Sequence, residues 1–245
     1  MNKQYKNPPI TEAVCEFRFE LETTFDQKIA DLIYEEIKEK FPKKKKGQFY
    51  QAEFKIDAKE KKQELSSKII REFDQFFSED EKTLVQLDKE RLSIHKLKPY
   101  QSWSEFSQLI KLVFNSYIKN IKVKSIQRIG LRYINNFEIP LGSLDIEQYF
   151  NLRPVMLGGL PQELSSFMVG TIFTFEDDRD SAKVQLVNKL SSADKTLFVL
   201  DIDYFLTQPN SILKEEIDEW LEVSHQNISN IFERALTEKV KILFN

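Results

Sequence analysis

From Ala13 the chain alternates. Ala13, Cys15, Phe17 and Phe19 point one way, and Val14, Glu16, Arg18 and Glu20 point the other. A period of two with one apolar and one polar side specifies a half-buried strand, covered on one face and open on the other. The pattern returns at residues 125–135, SIQRIGLRYIN. There Ile129, Leu131 and Tyr133 oppose Arg128, Gly130, Arg132 and Ile134.

Amphipathic helices supply a cover for the apolar side. Phe25, Ile29, Leu32, Ile33, Ile37 and Phe41 recur at helical spacing, with Thr24 as the expected cap and Pro42 as the stop. Phe106, Leu109, Ile110, Val113, Phe114 and Tyr117 mark a second helix, capped by Ser102 or Ser104. A long helix is expected from about Ile212 to Phe244, with a break near Asn227 or Asn230.

Between the helices, YQAEFKID reads as a strand and KTLVQLDKERLSIHKLKPY as a hairpin. PKKKKGQ reads as a solvated loop, and residues 59–80 fit either helix or strand. After residue 161 three strands form a meander, with DDRD at 177–180 as an exposed turn. The expected fold class is α+β: largely antiparallel sheets with helices on one face, possibly as two similar sub-domains. The expected units are 1–150, an N-terminal α+β unit, and 151–245, a meander plus C-terminal helix packed against it as one compact body.

Several function classes are disfavoured. The net charge of −3 gives no basic excess, so nucleic-acid binding is not indicated. The opening MNKQYKNPPI has no apolar run like a signal peptide, and no segment is apolar enough to span a bilayer. With a single cysteine and no disulfide, a soluble cytoplasmic protein is expected. Two histidines and one cysteine do not build a close-spaced zinc site, and no Gly-rich phosphate loop or nucleophile elbow occurs. No cofactor and no metal are expected.

Candidate sites are therefore few. Asp201 and Asp203 share a strand face, which suits either a solvated sheet or a pair of metal-ligating acids. His225 lies on a stripe with Leu221, Ile228, Phe232 and Ala235, as a hydrogen-bonded boundary histidine or a site residue. If the alternating strands are neighbours, one sheet face gathers Arg18, Arg91, His95, Arg128 and Arg132 around Glu16. Cross-strand ion pairs account for such a cluster. Gly130 between two arginines also leaves space in which guanidinium groups can grip an anion bidentately.

PPITEAVCEFRF, with Pro8, Pro9, Glu12, Glu16, Arg18 and Phe19, resembles the opening of a sporadically distributed bacterial protein family of unknown function and similar length. RIGLRYIN, with Arg128, Gly130, Arg132, Tyr133 and Asn135, is similar to its middle segment. SHQNISNIFERALTEKV, with His225, Ile228, Phe232 and Thr237, resembles its last helix. The resemblance spans the chain and implies no activity. Its patchy distribution suggests a defence- or toxin-associated setting.

The first expectation for function is a non-enzymatic macromolecular interaction module, with a protein partner or a second copy as homodimer. The alternatives are a small-anion or nucleotide-binding protein using Arg18, Arg128 and Arg132, and a metal-dependent hydrolase using Asp201 and Asp203.

Overall fold

The computed structural model describes residues 5–57, 62–140, 145–155, 166–192 and 195–244. Among them run nine strands. These are β1 (Ile10–Leu21), β2 (Lys43–Asp57), β3 (Lys62–Phe77), β4 (Thr83–Leu87), β5 (Arg91–Leu97), β6 (Val123–Pro140), β7 (Met168–Phe175), β8 (Asp180–Ser192) and β9 (Lys195–Leu206). The helices are α1 (Gln27–Ile37), α2 (Trp103–Asn120), α3 (Ile217–Ala235) and the short α4 (Glu238–Lys241).

All nine strands form one antiparallel sheet in the order β2-β3-β4-β5-β1-β6-β9-β8-β7. β1 and β6 lie at its centre, paired through Cys15–Leu131 and Phe17–Ile129. The chain therefore builds outward twice. β1 pairs with the last strand of the first meander, β5, and β6 pairs with the last strand of the second, β9. The β6–β9 ladder makes the sheet continuous across both parts of the chain.

The apolar side of β1 and β6 is buried, as their alternation requires. Ala13, Cys15, Phe17, Ile129 and Leu131 are fully buried. Phe17 stacks on Phe114 of α2 at 5.0 Å, and Phe19 stacks on Tyr117 at 4.6 Å. Each buried aromatic contributes on the order of 2–3 kcal/mol of transfer free energy. Ser102 caps α2 by accepting a hydrogen bond from the Glu105 N–H at 3.2 Å.

Three expectations are corrected, and one open choice is decided. The α1 cap is Asp26, whose carboxylate accepts from the Ile29 N–H at 3.1 Å, not Thr24. The four lysines Lys43–Lys46 are strand β2, not a loop, because they pair with Asp74–Phe77 of β3. Residues 62–77, which fit either helix or strand in sequence, are strand, fixed by the same ladder. The last helix is shorter than expected. α3 ends at Ala235, where extended Leu236 bridges to Phe150, and neither Asn227 nor Asn230 breaks it.

Asp180, read as part of an exposed turn, is completely buried. It accepts from the indole N–H of Trp220 at 2.9 Å, from Arg179 at 2.7 Å and from the Tyr204 hydroxyl at 3.3 Å. Its carboxylate fastens α3 to the meander. In the turn beside it, residues 176–179, Glu176, Asp177 and Asp178 have positive φ.

Candidate functional site

The open face of the central sheet carries the charges. β1 lies between β5 and β6, so Arg18 sits opposite Arg91 on one side and Arg128 on the other. Three like charges in a row need carboxylates between them. Glu16, one pleat along, is that group. It accepts from Arg18 at 2.9 Å, Arg91 at 3.0 Å and Arg128 at 3.3 Å.

The second half of the face is built by β6 and β9. Arg132 grips Asp201 bidentately, at 2.7 and 2.5 Å. Arg128 reaches Asp203 at 3.1 Å and lies over the Phe205 ring at 4.9 Å. Gly130 is opposite Glu16 on β1 and Phe205 on β9. The guanidinium of Arg128 occupies the space that the missing side chain leaves, since a Cβ there would meet its Nη1 at 2.6 Å.

The groups cover one another. Glu16, Asp201, Asp203 and Arg128 keep only 17–24% of their side-chain exposure. Burial pushes the Glu16 carboxyl up, but the Arg91 hydrogen bond and the charges of Arg18, Arg91 and Arg128 bring it below the ordinary range. Burial keeps Asp203 above its ordinary value despite Arg128 and Arg132. The His95 hydrogen bond holds Glu12 down against burial.

His95 is a bridge in this face. Its Nδ1 meets Glu12 at 2.8 Å and its Nε2 meets Ser93 at 2.9 Å. Glu12, Glu16, Arg18, His95, Arg128 and Arg132 thus come together with Asp201 and Asp203. Every arginine of the cluster already holds a carboxylate. Among the described residues no three His, Cys, Asp or Glu side chains converge to hold a metal ion. Asp201 and Asp203 are engaged by Arg132 and Arg128 instead.

His225 lies on the other side of the sheet. It stacks face to face on Trp103 at 4.4 Å, and its Nδ1 is 3.3 Å from the Tyr133 hydroxyl. Burial lowers its pKa from 6.5 to about 4, so the ring is neutral at pH 7.

Sequence patterns did not mark the edge of the sheet at β2 and β3. β4 pairs only with Asp74–Phe77 of β3. Beyond that, among the described residues, β3 pairs with β2 alone, and the two strands run on together as an arm to Asp57 and Lys62. The arm exposes Phe49, Tyr50, Ile69 and Ile70, with Tyr50 60% and Ile70 57% exposed. A cleft of about 820 Å³ separates it from the Leu87–Arg91 turn. The lysines at its root are neutralised locally. Lys44 meets Asp31 at 2.5 Å, Lys45 meets Glu81 at 3.4 Å and Lys46 meets Asp74 at 2.9 Å. The apolar doublet Ile69-Ile70 was the available signal. It carries no tertiary meaning until β4 is seen to stop short.

No known protein-family model matches the chain, and no curated protein matches it. No helix among the described residues is long and apolar enough to cross a membrane.

Proposed function

We propose that the protein is an interaction module whose working contact is the β2–β3 arm, and that the arm's occupant is a second copy of the chain. The observation that carries this reading is the edge of β3 at Lys62–Phe73, which no strand among the described residues pairs on the β4 side, flanked by exposed Ile69 and Ile70. An unpaired strand edge with apolar side chains is a template for strand addition. Two copies of that edge meet antiparallel about a two-fold axis, which pairs identical backbones without leaving a new edge there. Each arm then runs toward the cleft of the other copy.

Other partners have less support. Nucleic acid needs free cations, and Lys44, Lys45 and Lys46 are paired with carboxylates. A small anion on the open sheet face must displace Glu16, Asp201 or Asp203 from its arginine, against charge-assisted hydrogen bonds. The defence- or toxin-associated setting rests on the family resemblance.

Sedimentation velocity over a concentration series tests the reading. The wild-type chain is expected to sediment as a dimer. Ile70→Glu, at an exposed position, is expected to weaken association about ten-fold or more while leaving the thermal transition in place. A wild-type chain that stays monomeric throughout overturns the reading.

A further inference from the structure

A second cavity, of about 550 Å³, lies on the helix-covered side of the sheet, away from the arm. Its walls come from distant parts of the chain: the Tyr5–Ile10 segment, the start of α2, β6 and α3. The size is that of a small-molecule site.

Asn135 is the decisive wall residue. It is 1% exposed, and its Nδ2 donates to the backbone carbonyls of Leu200 at 3.2 Å and Tyr133 at 3.4 Å. Two carbonyls on one side fix the orientation of the amide. Its Oδ1 is then left as a buried acceptor without a partner. Such an atom costs about 1–3 kcal/mol unless a donor is brought to it. Asn135 shares the helix-facing side of β6 with Tyr133 and Phe137, and it lines the cavity together with Tyr133.

The remaining walls select among donors. Trp103 and His225 form a parallel aromatic pair, with the indole N–H tied to Glu222 at 2.9 Å. Tyr100 and Tyr133 join through their hydroxyls at 3.0 Å. Among the described residues no lysine or arginine lines the cavity; Glu233 is the charged residue on its wall, and Lys241 pairs with that carboxylate at 3.0 Å. The α2 N-terminus reaches the wall but is already capped by Ser102 and followed by Glu105. Ser102, Ser104 and Asn230 offer hydroxyl and amide groups around an aromatic interior.

We infer that this cavity binds an uncharged purine or pyrimidine base, free or as its nucleoside, through an N–H group given to Asn135 Oδ1 and stacking on the aromatic walls. Planar rings with edge donors fit both features. Among the described wall residues a phosphate finds no lysine or arginine, and Lys241 behind Glu233 is already paired with it.

The test is titration of the full chain with the free bases, the nucleosides and the nucleoside 5′-monophosphates. Tm and the quenching of Trp103 are the readouts. At least one base or nucleoside is expected to raise Tm and quench the indole, and its monophosphate to bind about ten-fold more weakly or worse. Asn135→Leu is expected to lose about ten-fold in affinity or more. Ser229→Trp, which fills the cavity from α3, is expected to abolish binding and serves if the first variant does not fold. The inference is overturned if no base or nucleoside binds the folded wild type. It is also overturned if monophosphates bind as tightly, or if either folded variant binds like wild type.

Discussion

The Arg128 guanidinium lies over Gly130, at the place where a side chain of that residue would stand. From there it reaches Glu16 on β1 and Asp203 on β9, tying the two parts of the chain across the central ladder. Removing the charge and filling the space are therefore different experiments. Arg128→Ala strips two half-buried carboxylates of a partner and is expected to cost about 1–3 kcal/mol in urea denaturation. Gly130→Ala presses only on the flexible end of Arg128 and is expected to change stability by less than about 1 kcal/mol. A larger loss for Gly130→Ala than for Arg128→Ala contradicts this assignment.

Asp180 is a fully buried carboxylate with three donors on it. Asp180→Ala leaves the Trp220 indole N–H and the Arg179 guanidinium without their acceptor. The expected loss is about 3–5 kcal/mol, with Asp180→Asn smaller because one oxygen survives. Equilibrium urea unfolding followed by tryptophan fluorescence measures both. Equal stability of Asp180→Ala and wild type refutes the anchoring role.

His225 makes stability depend on pH. Its folded pKa is lowered by burial to about 4 from 6.5, so between these values the unfolded chain holds a proton that the folded chain does not. The stabilisation is full above the ordinary histidine value and is lost as pH falls below it, by about 1.4 kcal/mol for each unit of pH. The loss ends near the folded pKa. His225→Gln is expected to remove this slope relative to wild type. Identical pH profiles for the two proteins between pH 4 and 6.5 contradict the buried-neutral assignment.

Much of the centre of the molecule was legible in sequence. The alternation of β1 and β6 is strict because helices cover one face while the other carries the paired charges. The Ser102 cap lies next to the periodic run it starts. The arm was less legible because LSSKIIREFDQFF carries apolar residues at both periods. Ile69 and Ile70 are adjacent, and Phe73, Phe76 and Phe77 suit a helix as well as a strand. Only pairing with β2 decides between them. Asp180 looked like a turn residue because its donor Trp220 is 40 positions away. The Asn135 cavity is a meeting of segments that no local pattern connects.

The arm proposal is tested most directly at the backbone. Amide hydrogen exchange of residues 62–73, measured on the wild-type chain at low and high protein concentration, reads the free edge of β3 itself. Antiparallel pairing of two arms slows exchange in that segment as concentration rises, with Arg91–Leu97 of β5 unchanged. Exchange in 62–73 that is equally fast at every concentration contradicts it.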